Sequence, residues 1–85
     1  MKIIFSKNAW EDYTNWFNQD KSMLKKINEL IKEIHHTPFA GKGKPEPLKY
    51  DLKGLWSRRI DLEHRLVYKI EDDNILIYSC KYHYD

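Results

Sequence analysis

Disulfides are excluded at the outset, because Cys80 is the only cysteine in the 85 residues. No internal bridge can form, and nothing calls for an oxidising compartment. Long apolar runs are missing too: Met1-Lys2-Ile3-Ile4-Phe5 is too short for a signal-peptide core, and no later stretch approaches the ~20 apolar residues of a membrane helix. A cytoplasmic protein without membrane attachment is expected. Charge of one sign is scarce as well, with a net of only +2, which excludes the blanket basicity of a histone-like protein. Linker-like, repetitive and low-complexity segments are absent, so residues 1–85 read as one domain.

What is abundant is aromatic. Three Trp, six Tyr and three Phe supply the bulky apolar surface that a chain this small needs to offset its ordering entropy. The positive charge is concentrated: Lys42, Lys44, Lys49, Lys53, Arg58 and Arg59 face only Glu46 and Asp51 in the middle of the chain, a plausible phosphate footprint. On charge alone a solvated basic surface is the readier reading.

The apolar run at Lys2–Phe5 predicts a short strand, and Ser6 can cap a helix that ends near Gln19, with Trp10, Tyr13 and Phe17 as its stripe. Asp20 can cap a second helix, in which Met23, Leu24, Ile27, Leu30, Ile31 and Ile34 mark one face. Thr37-Pro38 stops it, leaving His35 and His36 in the last turn. Glycine and proline then crowd residues 39–47 into a loop. Strands are expected over 55–60, 65–70 and 75–82, forming an antiparallel sheet, so the fold class is α+β.

Register decides what the last hairpin presents. A three-residue turn at Asp72-Asp73-Asn74, with Asn74 left-handed, would put Leu66, Tyr68 and Ile70 on a core face with Leu76, Tyr78 and Cys80. Arg65, Val67 and Lys69 would then lie beside Ser79, Lys81 and His83 on the other face. A two-residue turn would reverse that relation.

Three residues stand out chemically. Glu46 lies between Pro45 and Pro47, which confine it to an extended conformation suited to a catalytic base. Arg65 opens a strand next to the end of another that carries Arg58 and Arg59; those two must point to opposite faces, and Arg58 reads as a surface ion-pair residue. His83 lies between Tyr82 and Tyr84, a proton donor near neutral pH beside rings on which a base could stack. A base for a 2′-hydroxyl, a cation for the phosphate and an acid for the leaving 5′-oxygen together suffice to cleave RNA without a metal. No nucleotide-binding loop, zinc spacing or nucleophile elbow competes, and no cofactor is expected.

Four blocks, Gly41-Lys42-Gly43-Lys44-Pro45-Glu46-Pro47-Leu48-Lys49, Trp56-Ser57-Arg58-Arg59-Ile60, Glu63-His64-Arg65-Leu66-Val67-Tyr68 and Tyr82-His83-Tyr84, make the chain similar to the YoeB toxins of the RelE/ParE superfamily. The likeness extends over essentially the whole length. It implies a RelE-like single domain of two N-terminal helices packed on a twisted antiparallel β-sheet. It also implies a ribosome-dependent endoribonuclease that cuts mRNA in the ribosomal A site, held by a YefM-like antitoxin. By the resemblance Glu46 matches the general base, His83 the general acid and Arg65 the phosphate-stabilising arginine. Tyr84 matches a residue that orders the site, and Lys49 and Arg59 match basic residues around the RNA. Homodimers occur in the group. Asp85, after the tyrosine, departs from the pattern by adding a negative charge near the phosphate path. The competing reading is a non-catalytic RNA-binding module, or a toxin aimed at a protein as the ParE branch is at DNA gyrase.

Overall fold

The structure, a computed structural model, describes residues 1–82. Strand β1 (Ile3–Phe5) leads into helices α1 (Lys7–Gln19) and α2 (Lys21–His36); after a loop come β2 (Glu46–Pro47), a 3₁₀ turn at Tyr50–Leu52, β3 (Trp56–Arg59), β4 (Arg65–Glu71) and β5 (Asn74–Ser79). The strands form one sheet in the order β1-β5-β4-β3-β2, and both helices contribute to the core on one of its faces. No helix among the described residues is long and apolar enough to cross a membrane.

The helix boundaries follow the capping residues. Ser6 is extended and its Oγ accepts the Ala9 N–H at 3.0 Å, while Asp20 accepts the Ser22 N–H at 3.0 Å and so starts α2 one residue after α1 ends. Helix α2 buries Met23, Ile27, Leu30, Ile31 and Ile34, as its periodicity predicts. In α1 the buried residues are instead Ala9 and Trp16. Trp10 and Phe17 are more than half exposed, and Trp10 and Tyr13 cluster with Phe5 of β1. The apolar stripe of α1 is therefore rotated from its three aromatics toward the small Ala9, which lets the helix approach the sheet closely.

Two details of the sheet differ from expectation. Strand β1 runs parallel to β5, because the chain spans both helices and the other strands before β5 returns beside it; the remaining pairs are antiparallel. The last hairpin turns on two residues, with Glu71 opposite Asn74 and both Asp72 (φ 51°) and Asp73 (φ 61°) left-handed. This is the turn whose twist matches the flanking strands, and aspartate tolerates it. Asn74 is engaged elsewhere: its Oδ1 accepts the Lys2 N–H, joining the start of β1.

A two-residue turn puts Ile75 and Ile77, not Leu76 and Tyr78, in the core. A β-bulge then reverses the relation. Tyr68 pairs with Ile77 but Val67 pairs with Ser79, so Tyr78 is the extra residue, and beyond it the faces are those of the three-residue register. The Tyr78 carbonyl is not orphaned, since the Ser6 hydroxyl donates to it at 3.0 Å.

Arg58 is fully buried, where a surface ion pair was expected. It shares the core-facing side of the sheet with Trp56 and Tyr68. Its Nε donates to the Tyr68 hydroxyl at 3.1 Å, its Nη1 to the Lys42 carbonyl at 3.1 Å and its Nη2 to the Thr37 carbonyl. The Tyr68 hydroxyl in turn donates to the Pro38 carbonyl at 2.6 Å. No carboxylate among the described residues pairs with this guanidinium, so carbonyl and phenol oxygens alone compensate its desolvation.

An ammonium group could not meet these separate acceptors in one plane. Arg58→Lys should therefore cost about 3 kcal/mol or more, read as a lower urea midpoint at unchanged slope. Cys80 should be inert in the folded state: burial, with the Asp12 charge adding to it, pushes its thiol up to about 12. Iodoacetamide at mildly alkaline pH should modify the urea-unfolded chain and spare the native one.

Candidate active site

The face of the sheet turned away from the helices carries a row of paired residues across four strands: Glu46 opposite Ser57, Ser57 opposite Val67, Val67 opposite Ser79. Ser57, Val67 and Ser79 are buried and form a floor. Arg59 and Arg65 face each other across β3 and β4 two residues further on, so both lie on this same side. Glu46, Lys49, Ser57 and Arg65 line a cleft of about 270 Å³.

Glu46 reaches its position because the loop before it is tied down twice. Arg58 holds the carbonyls of Thr37 and Lys42, and the Gly43 carbonyl accepts the Arg59 N–H at 2.6 Å. Gly43 itself has φ +85°, and a Cβ there would lie 3.0 Å from both Arg58 and Leu30, so any side chain would be both strained and crowded. The chain then enters β2 between its two prolines, and Glu46 Oε1 stands 3.2 Å from Arg65 Nη1. The pair is a single contact, with the carboxylate side chain 56% exposed and the guanidinium side chain 20% exposed.

Of the residues singled out in the sequence, Glu46 and Arg65 meet directly. Lys49 lines the cleft beside them, and Arg59 is exposed on the same face. His83 and Tyr84 lie outside the described residues, as does Asp85. The segment leading to them is closely held. Asp12 accepts the Cys80 N–H at 3.0 Å, and Trp16 Nε1 donates to the Cys80 carbonyl at 2.8 Å. Burial raises the pKa of Asp12, against the lowering effect of that backbone bond and of Lys81. Tyr82 is left-handed at φ 60°; its N–H donates to His64 Nδ1 and its carbonyl accepts the Arg65 N–H, both at 2.8 Å.

His64 is buried and was passed over in the sequence, although strand alternation with Arg65 places it on the opposite, inward side. Its ring meets Trp16 edge-on at 4.8 Å, and Asp61 caps the tight turn before it by accepting the Glu63 and His64 N–H groups. His35 and His36 are exposed at the end of α2, and no cluster of three His, Cys, Asp or Glu suited to a metal occurs among the described residues.

Comparison with known proteins identifies a family. Residues 5–84 match the model of the YoeB-like toxin of bacterial type II toxin-antitoxin systems. Toxin YoeB of Escherichia coli K12 is 61% identical over 84 residues, covering 99% of this chain and all of that one, and Toxin YoeB of Streptomyces coelicolor is 55% identical over 84 residues with the same coverage. Among solved structures, a YoeB/ParE toxin from Agrobacterium tumefaciens superposes with a TM-score of 0.97 at 46% identity, covering 99% of this chain and 100% of that one. The toxin in a heterotetrameric YoeB-YefM complex from Staphylococcus aureus gives 0.91 at 54% identity, covering 99% and 98%. A mutant of the more distant YafQ of E. coli, at 19% identity and a TM-score of 0.81 over 96% of this chain and 92% of that one, shares the fold. With a matching family model over nearly its whole length and relatives above half identity, the chain belongs to the YoeB toxins of bacterial type II toxin-antitoxin systems.

Proposed function

We propose that this toxin is a ribosome-dependent endoribonuclease that cleaves mRNA in the ribosomal A site and so stops translation. The observation that carries the reading is the Glu46–Arg65 contact at 3.2 Å above the floor of the cleft, with Lys49 and Arg59 on the same side. A carboxylate and a guanidinium brought together from β2 and β4 suit one reaction well. Glu46 takes the proton from a ribose 2′-hydroxyl, whose oxygen attacks the adjacent phosphorus. Arg65 neutralises the crowded non-bridging oxygens. The bond to the 5′-oxygen breaks as His83 donates a proton to it, leaving a 2′,3′-cyclic phosphate and a 5′-hydroxyl, with Tyr84 ordering the site.

The Glu46–Arg65 pair must loosen for phosphate to enter. As one partly exposed contact it is worth only about 0–1 kcal/mol, whereas a guanidinium can grip phosphate oxygens with two parallel hydrogen bonds. Substrate therefore displaces the carboxylate from Arg65 at little cost and frees it for the 2′-hydroxyl. Lys49 and Arg59 supply charge along the flanking backbone.

The partner suggested by the YoeB-YefM assemblies of S. aureus is a YefM-like antitoxin that covers or disturbs this face, and the YoeB dimer from the same organism makes a homodimer the expected form without it. The work is cytoplasmic, on translating ribosomes.

Toe-printing of a translated message with purified toxin tests the whole reading: new 3′ ends within the A-site codon are expected, and an intact message on arrested ribosomes would speak for a non-catalytic poison. Glu46→Ala and His83→Ala should each slow cleavage by about 10²–10⁴ and relieve growth arrest, with antitoxin binding nearly unchanged; undiminished toxicity in both would remove the nuclease mechanism. Free RNA should be cut poorly compared with ribosome-bound message, since one carboxylate and one histidine rely on the ribosome to align the 2′-oxygen with the phosphorus. Comparing initial rates on the same RNA with and without ribosomes measures this.

A further inference from the structure

The mechanism needs His83 delivered to the cleft, and the residue just before it, Tyr82, has a backbone conformation that side chains other than glycine adopt reluctantly. A left-handed tyrosine persists only where its surroundings over-determine it. Here both of its backbone polar groups are taken, the N–H by His64 Nδ1 and the carbonyl by the Arg65 N–H, each at 2.8 Å. His64 is itself immobilised: its ring packs edge-on against Trp16, its Nε2 lies 3.4 Å from Glu63 Oε1, and Asp61 accepts its backbone N–H at 2.7 Å. The ring nitrogen that faces Tyr82 is thus the acceptor for its N–H.

We propose that His64 is a positioning residue for cleavage: its Nδ1 accepts the Tyr82 N–H and thereby holds the left-handed conformation of Tyr82, the residue to which His83 is joined. The role rests on the nuclease reading above. It links the two halves of the chemistry, because the neighbouring Arg65 uses its side chain on Glu46 and its backbone N–H on Tyr82. The phosphate ligand and the residue before the acid are thus both held through one dipeptide, His64-Arg65.

The experiment measures single-turnover cleavage of ribosome-bound message by the wild-type toxin, His64→Leu and His64→Asn. Leucine keeps bulk and removes the acceptor, whereas asparagine can place its Oδ1 near the position of Nδ1. His64→Leu should lower the maximal rate about 10²-fold while the toxin concentration for half-maximal rate stays the same, and His64→Asn should recover most of the loss. Hydrogen exchange provides a second measurement on the unmodified protein: the Tyr82 amide should be protected in wild type and exchange at the free-peptide rate in His64→Leu. A wild type that leaves the message intact would remove the activity reading and the positioning role with it. A wild type that cuts while His64→Leu cuts equally fast would overturn the positioning role alone, as would His64→Asn no faster than His64→Leu, which would assign the loss to packing. Should His64→Leu not fold, wild-type exchange and His64→Asn decide, and an unprotected Tyr82 amide in wild type overturns the proposal.

Discussion

A guanidinium with no access to water organises this molecule. Burying a charge costs several kcal/mol unless hydrogen bonds replace its hydration, and Arg58 meets that demand with the Tyr68 hydroxyl and the carbonyls of Thr37 and Lys42. Those carbonyls belong to the end of α2 and to the glycine-rich loop, which the Pro38 and Gly43 carbonyls also tie to the sheet. The charge thus converts a flexible connection into a defined one, and Glu46, four residues beyond Lys42, inherits the definition. Tyr68 shares in it: burial raises the pKa of its hydroxyl, while Arg58 beside it pulls the other way, and the proton is used on the Pro38 carbonyl.

The stretch from β5 to Tyr82 is organised by different means. Strand β5 is brought into register by a bulge at Tyr78, and from Cys80 to Tyr82 the backbone is gripped by side chains from α1 and from the turn before β4. Trp16 and Asp12 hold Cys80; His64 and the Arg65 amide hold Tyr82. The loop before Glu46 therefore depends on a buried cation, and the backbone from Cys80 to Tyr82 on hydrogen bonds between side chains and backbone. Arg65 contacts both Glu46 and Tyr82.

The weakness of the Glu46–Arg65 pair is part of this arrangement. For the proposed reaction, a deeply buried pair would resist exchange of carboxylate for phosphate, and two groups far apart would not be ready for one scissile bond. At 3.2 Å and partly open to solvent, they are placed together without being locked.

Local chemistry decided much of the structure in advance. Ser6 and Asp20 start the helices, Thr37-Pro38 ends the second, and α2 buries the face its spacing marks, because caps and periodicity act within a few residues. The constrained setting of Glu46 between prolines is local as well, and so is the opposition of Arg58 to Arg59. The family-bearing blocks were legible for the same reason, as contiguous residues. Tertiary structure alone decided the rest. Whether Arg58 faces water or the core depends on carbonyls sixteen and more residues away, and whether Arg65 shares a face with Ser79 or its neighbour depends on a bulge that undoes the effect of a two-residue turn. His64 offers no signal of its own until the chain brings Tyr82 to its ring, eighteen residues later in sequence and 2.8 Å away in space. Hydrogen bonds to distant backbone carry no periodicity, so only the folded chain reveals them.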